Sequence, residues 1–418
     1  MKTPLLTLLL ALSILIPNSV KAWGGAGHQL IAAEAYRQLS AQTKAQVIEV
    51  LKAHPDYNKW AQAYRPNANF DQFAYIFMRC STWPDEIRRT GNQYDHPDWH
   101  FIDYPLRPPN FTFEQDARPN DDVLFGIAEA EKTLSDPNAA PELRGVMMSY
   151  LVHLIGDEHQ PLHCESYFTS DYPNGDKGGN DFYVRPGQRV VGLHSIWDGL
   201  LGTAINPRMQ WNYAIKLQTK FPPNSLPELT EHATPKAWSL ESRELAIDVG
   251  YLRGDLKGGV SRDDAPSLPP DYLKNAKACA ERQGALAGYR LAAEIEEYLK
   301  VAAPVPLLPE NTFVASKAEG PIKIGTADAS KYYDESEVVT GMVEKITIGE
   351  EVNFINLDGV GRSAPFTAII FPDNADKFGD LNRFQNQQVE ISGTVTEYHN
   401  KPEIILETPD QIKVVPGM

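Results

Sequence analysis

Five of the ten histidines in this 418-residue chain stand where an acid lies at a spacing that chemistry can use. The segment SYLVHLIGDEHQPLH sets His153 and Asp157 four residues apart, on one helix face; Pro161 then ends the helix and His163 follows in the turn. GLHSIWDGL repeats the spacing with His194 and Asp198, while STWPDEIRR supplies Asp85 and DWHFIDYP supplies His100. Imidazole and carboxylate one helical turn apart, pointing the same way, are how a helix presents ligands to zinc. One such pair alone reads as a surface contact or as a core histidine satisfied by a carboxylate. Two pairs, with three further His and Asp in aromatic settings, offer ligands for two or three ions. His54, His96, His159, His232 and His399 have no ligand-like setting, and the helical phase of His159 turns it away from His153. Cys80 and Cys164 flank ligand segments and read as packing or as half of a disulfide. With Cys279 they allow at most one bridge, so the chain has no disulfide framework.

The amino terminus bears on the same chemistry. Residues 1–22 join Lys2, the apolar run LLTLLLALSILI and the small-residue site SVKA, with Val20 and Ala22 where a signal peptidase expects them. The run is short for a membrane span, so cleavage before Trp23 and an exported chain, periplasmic or secreted, are expected. Cleavage would give Trp23 a free α-amine beside its own carbonyl, two groups able to chelate one metal. His28 lies five residues on, and Gly24, Gly25 and Gly27 would let the chain curl back. The plainer alternative has Trp23 capping a core and His28 opening a helix. Loss of Lys2 and Lys21 takes the 39 basic residues to 37 against 55 acidic ones, a net charge of −18. Such a chain does not recruit a polyanion by long-range attraction, so any nucleic-acid chemistry must bring local positive charge.

These residues need a scaffold, and the hydrophobic spacing predicts a helical one. Segments 121–136, 141–159 and 281–300 repeat apolar residues every three or four positions, separated by polar loops such as YPNGDKGGND. Residues 301–313 carry Pro304, Pro306 and Pro309 and read as a linker. Beyond it, five β-branched runs between turn residues predict a small all-β barrel or sandwich. The expected organisation is a signal peptide (1–22), a mainly α catalytic domain (23–300), a Pro-rich linker (301–313) and a β domain (314–418).

The ordered set WGGAGH, WPDEIR, WHFID, HLIGDEHQPLH, GGN and LHSIWD resembles the S-one/P-one family of zinc-dependent, single-strand-specific nucleases over residues 23 to about 300. The resemblance implies a helical, phospholipase C/nuclease-type fold with three Zn²⁺ per chain. Asp85, His100 and His153 would hold one ion, and Asp157 would bridge it to a second that takes Trp23 and His28. His163, His194 and Asp198 would hold the third. Asp157, with a hydroxide shared by the two close zincs, would be the catalytic pair, attacking phosphorus in line and leaving 5′-phosphorylated products. Phe101, Asp103 and Asn180 match positions that hold a nucleobase. Substrates would be single-stranded DNA and RNA, with 3′-nucleotides as further ones, and the zinc cluster would supply the local positive charge. The chain departs from the family in a long stretch, CESYFTSDYPNGDK, at the rim of the base pocket, and in its C-terminal domain. NFT at 110–112 matches a glycosylation sequon.

Residues 314–418 resemble the small OB-fold domains of bacterial exported proteins. Phe354, Phe366 and Tyr398 could form a stacking surface there. Against that, residues 313–418 hold 9 Lys/Arg and 17 Asp/Glu, which favours aromatics buried in the barrel and a spacer or protein-contact role. Two alternatives to the nuclease stay open at this point. A zinc phospholipase C would tend to end its last ligand pair in glutamate, where this chain has Asp198. A catalytically silent nucleic-acid-binding protein would bind far fewer than three zinc ions.

Overall fold

A computed structural model describes residues 23–64, 71–108, 121–203, 206–300, 305–308, 321–333, 336–349, 352–398 and 401–415. Residues 1–22, expected to be a signal peptide, most of residues 301–313, expected to be a linker, the sequon match at Asn110 and His399 lie outside the described residues.

Before residue 300 the chain is mainly helical. The helices α1 (Gly25–Gln38), α2 (Ala41–Leu51), α3 (Tyr57–Ala63), α4 (Gln72–Cys80) and α5 (Trp83–Ile87) come first. Next are α6 (Val123–Ser135), α7 (Pro141–Glu158), α8 (Leu193–Gly199) and α9 (Pro207–Lys220), then α10 (Glu228–Glu231), α11 (Pro235–Leu245) and α12 (Tyr272–Leu299). No helix among the described residues is long and apolar enough to cross a membrane.

The central element is α7. Pro141 starts it, where a missing N–H costs nothing. Every residue from Gly145 to Glu158 is buried. A helix apolar nearly all round has to be a core helix, and α1, α2, α4, α5, α6, α11 and α12 all pack on it. Its last turns therefore carry His153, Asp157 and Glu158 into the interior. Side-chain caps fix neighbouring helix starts: Ser40 accepts from Thr43 N–H and Asp122 from Leu124 N–H, both at 3.1 Å.

Two small ladders interrupt the helices: β1 (Pro105–Leu106) runs parallel to β2 (Ser166–Tyr167), and β3 (Tyr183–Val184) is antiparallel to β4 (Val191–Gly192). Two-residue strands carry no readable alternation, and hydrophobic spacing does not predict them.

The C-terminal part is a curled sheet with its own core. Its elements are β5 (Lys323–Gly325), β6 (Ser336–Thr347), β7 (Asn353–Leu357), β8 (Phe366–Ile370), α13 (Pro372–Phe378), β9 (Gln388–Thr394), β10 (Thr396–Tyr398), β11 (Lys401–Ile405) and β12 (Ile412–Val414). The strand order is β10-β11-β8-β7-β6-β9-β12, with β5 beside β6. The first half of β6 pairs with β9 and the second half with β7, with a register shift between Val343 and Lys345. One long strand serving two partners across a bulge rolls the sheet into a half-barrel. Buried Val395 separates β9 from β10. Of the three aromatics considered for stacking, Phe366 is in the core and Phe354 is half-buried. The Tyr398 side chain lies outside the described residues. Phe366 is thus withdrawn from any stacking surface, because alternation along β8 points it inward.

Candidate metal centre

Six helical elements converge on one buried volume. His28 lies near the start of α1, Asp85 in α5, His153 and Asp157 on α7, and His194 and Asp198 on α8. His100 ends the 3-10 turn Pro97–His100, and His163 ends the turn Pro161–His163. Three groups form: Asp85 with His100 and His153, His28 with His153 and Asp157, and His163 with His194 and Asp198. Within each, one ligand atom per residue lies within 4.8 Å of the others.

Asp157 is the hub. Its Oδ2 lies 3.0 Å from His100 Nδ1 and 3.1 Å from His153 Nε2, and its Oδ1 lies 3.3 Å from His28 Nε2. The rings of His28 and His153 stack at 3.9 Å. In the third group His194 Nε2 is 3.5 Å from Asp198 Oδ1. A Cβ on Gly156 would meet His28 Nδ1 at 2.9 Å, so glycine is needed for α1 and α7 to come this close.

The backbone fixes how the imidazoles face. His153 Nδ1 donates to Ser81 O at 2.7 Å, His163 Nδ1 to His100 O at 2.6 Å and His194 Nδ1 to Gly178 O at 2.7 Å. A carbonyl only accepts, so each Nδ1 carries the proton and each Nε2 turns a lone pair inward. His163 Nε2 and Asp85 Oδ1 are buried with no hydrogen-bond partner among the described residues, and His28 Nε2 and Asp157 Oδ1 face each other at 3.3 Å. Buried polar atoms are normally paired, and lone pairs aimed at one another need a cation between them.

The electrostatics divide these groups. Burial pulls His100 down to about 4 and His163 to about 3, and it lowers His28. These rings are neutral at ordinary pH, the form that binds a metal. Burial would raise Asp157, but His153 and the bonds from His100, His153 and His28 outweigh it and hold this carboxyl well below its usual range. For Asp198 burial wins and pushes the carboxyl far above its usual range. Burial would lower His153, but Asp157 and Asp85 outweigh it and raise this ring. By residue type, imidazoles and aspartates of this kind are a zinc-type donor set, and the residues present fit such ions.

The amino terminus differs in one respect from the expected loose curl. Gly25 and Gly27 are helical, and a Cβ on Gly27 would sit 2.8 Å from Trp23 Cβ. The glycines let Trp23 lie buried against α1, and Gly24 N–H donates to Asp198 O at 2.9 Å. Through Gly24, the residue after Trp23, the amino terminus is so tied to the backbone of Asp198 in the third group.

Phe101, Asp103 and Asn180 are all partly exposed. They sit on two segments joined through β2: Ser166 N–H donates to Tyr104 O, and Asp176 N–H donates to Tyr167 O. Asn180 Nδ2 donates to Lys177 O at 2.7 Å. His159, set aside on helical phase, donates from Nδ1 to Ile155 O and meets Arg290 through Nε2 at 2.7 Å, outside the cluster. Cys80, Cys164 and Cys279 are free thiols, and burial raises the first two.

Two residues escaped the sequence reading. Gln160 is buried and donates from Nε2 to Asp198 Oδ1 at 2.9 Å, while Leu162 N–H donates to its Oε1 at 2.6 Å. It locks the turn after α7 to α8. Arg88 lies with Nη1 3.7 Å from Asp85 Oδ1, and Nη2 donates to Pro97 O. Its three-residue spacing from Asp85 was the available signal.

The helical scaffold thus buries three neighbouring groups of imidazoles and carboxylates that could hold metal. Residues 23–300 match the residue pattern described as S1/P1 nuclease. Nuclease PA3 of a Penicillium species and nuclease P1 of Penicillium citrinum are each 26% identical over 295 residues, covering 66% of this chain and 97% of theirs. Endonuclease 3 of Arabidopsis thaliana is 27% identical over 305 residues, covering 66% of this chain and 88% of its own. The chain belongs to the S1/P1 nuclease family. It is therefore a nuclease, a hydrolase of phosphodiester bonds, of a zinc-dependent family, and it carries three groups that could hold metal.

Proposed function

We propose that this protein is an exported, zinc-dependent endonuclease of single-stranded DNA and RNA, releasing 5′-phosphorylated nucleotides and oligonucleotides and acting also on 3′-nucleotides. The observation that carries this is the set of buried ligand atoms on His28, His163, Asp85 and Asp157, which among the described residues make no hydrogen bond beyond the 3.3 Å approach of His28 to Asp157. Three ions are proposed, one per group: Asp85, His100 and His153; Trp23 and His28 with Asp157 bridging; and His163, His194 and Asp198. Zinc held there would supply Lewis acidity toward a phosphodiester and toward water.

The chain's own residues do the rest. Ser81, His100 and Gly178 carbonyls orient the imidazoles, and Gln160 orients Asp198. Arg88 places a guanidinium beside Asp85, where its fork suits a phosphate oxygen. Phe101, Asp103 and Asn180 are the proposed base-binding residues, and a splayed base requires a single strand.

The proposed organisation is a signal peptide over 1–22, the nuclease domain over 23–300, a linker over 301–313 and an OB-like domain over 314–418. For the last, the support is topological. The long β6 pairs with both β7 and β9, β11 runs parallel to β8, and α13 lies between β8 and β9. These pairings support a reading of the eight-stranded sheet as built on a five-stranded, partly open barrel.

The test is product analysis by mass spectrometry. Protein beginning at Trp23 is incubated with denatured DNA and with RNA, with and without a zinc chelator. Release of 5′-nucleotides that the chelator abolishes is the expected result. No release from zinc-loaded protein overturns the proposal.

A further inference from the structure

The turn at residues 175–180 is built in an unusual way for a chain segment beside a metal-type cluster. Gly175, Lys177, Gly178 and Gly179 have φ of 77°, 57°, 60° and 83°. Lys177 is not a glycine, so its left-handed conformation has to be held by its surroundings. Gly178 cannot be anything else, since a Cβ there would meet Leu162 O at 2.3 Å.

The holding group is the carboxylate of Asp176, which is fully buried. Its Oδ1 accepts from Tyr167 N–H at 2.9 Å and from Ser166 Oγ at 3.5 Å, and its Oδ2 accepts from the Tyr251 hydroxyl at 2.7 Å. Its backbone adds Asp176 N–H to Tyr167 O at 3.1 Å and Asp181 N–H to Asp176 O at 3.0 Å. Tyr251 is buried directly after the π-helical turn Ala246–Gly250, with its ring against Tyr167 and Phe182. Two residues beyond Asp176, Gly178 O receives the His194 Nδ1 proton at 2.7 Å. Four residues beyond it stands Asn180.

We infer that Asp176, clamped by Tyr251, is a positioning residue that presents Gly178 O to His194 and Asn180 to the nucleobase as one rigid unit. The inference rests on the proposed reading of His194 as a metal ligand and Asn180 as base-binding. It couples the two: a turn that loosens loses base recognition and third-site metal retention together.

Tyr251→Phe removes one hydroxyl and leaves the ring packing, and Asp176→Asn keeps the side-chain shape. Each is compared with wild type on a single-stranded oligonucleotide and on bis(4-nitrophenyl) phosphate, a diester with no base. Zinc retention during dialysis is read by native mass spectrometry, and folding by calorimetry. The oligonucleotide KM should rise roughly tenfold, with the baseless diester's KM shifting under about twofold, as expected for loss of one hydrogen bond to a charged acceptor. In the same variants one zinc should leave under dialysis that wild type withstands. If either the KM ratio or zinc retention stays at the wild-type value, with or without a lower melting temperature, the inference falls. Should Asp176→Asn fail to fold, Tyr251→Phe decides alone. A wild-type protein that holds no zinc or cleaves no oligonucleotide instead overturns the proposed function.

Discussion

At the scale of single residues, Asp157 is the group on which the site turns. Four imidazoles approach it, those of His28, His100 and His153 closely and that of His163 at 3.9 Å. Asp157→Asn leaves the shape and removes one anionic oxygen from between two groups. We expect kcat/KM on single-stranded DNA to fall at least about a thousandfold, well past the 10–100-fold typical of residues that only orient ligands. Gln160→Leu is the contrasting case, because Gln160 touches Asp198 and not the proposed ions. It should cost roughly 10–100-fold and leave most of the zinc bound. Steady-state kinetics beside metal analysis checks both, and equal losses in the two variants would remove Asp157 from its central place. The amino terminus supplies a third case. One extra residue ahead of Trp23 turns its amine into an amide, which no longer offers a lone pair. Protein with that extension should lose one zinc and most activity, and full activity with all its zinc would exclude Trp23 as a ligand.

At the scale of elements, the seam between α1 and α12 shows what close helix packing costs. A Cβ on Gly288 would lie 2.1 Å from Glu34 Cγ, so Glu34 is pressed into the interface and fully buried. Burial pushes its carboxyl from 4.5 up to about 8, against weaker opposing effects of Gln218 and Arg37. The folded state therefore holds this proton more tightly than the unfolded chain does. Stability from this group is whole below pH 4.5 and is lost as pH rises toward 8. Glu34→Gln replaces the acid with a neutral group of the same shape. The variant and wild type should unfold alike in denaturant at pH 5, and by pH 8 the variant should be more stable by roughly 2–4 kcal/mol. A constant difference across that range would contradict a neutral Glu34. The same elements show what a sequence reveals. The helix α7 was legible because its apolar positions and the four-residue spacing of His153 and Asp157 are local. The hydrogen bond from Tyr251 to Asp176 spans 75 residues, and the β1–β2 ladder is two residues long, so neither leaves a periodic trace. Gln160 stood in plain view within HQPLH, yet its role depends on where the turn after α7 sends its amide.

At the scale of the whole molecule, the chain contains separate cores. One joins residues from Trp23 to Leu299, with Leu308 packed on it, and another is made wholly of residues between Ile324 and Ile412. The metal-type groups, the candidate base pocket and Arg88 all belong to the first part. The second is acidic, with 17 Asp/Glu against 9 Lys/Arg over residues 313–418, and Phe366 is turned inward. Polynucleotide affinity comes largely from phosphate contacts with cations, which makes this surface a poor platform for a single strand. The switch from helical to β texture was visible in the sequence, because alternation over β6 is long enough to read. The inward turn of Phe366 was not, since it depends on which face of β8 the neighbouring strands cover. A chain from Trp23 to Leu308 keeps the Val305 carbonyl that accepts from Gln42 and the Leu308 contact, and so cuts none of the helical core's contacts among the described residues. This truncated protein should fold, hold its zinc and cleave short single-stranded oligonucleotides with kcat/KM within about threefold of the full chain, a change under 1 kcal/mol. Residues 321–418 alone should show no salt-dependent retention on single-stranded DNA, the signature that phosphate contacts would leave. Kinetics on the first fragment and a filter-binding titration of the second decide the matter. A loss of tenfold or more in the truncated enzyme, with its zinc content intact, would show that the curled sheet takes part in handling substrate after all.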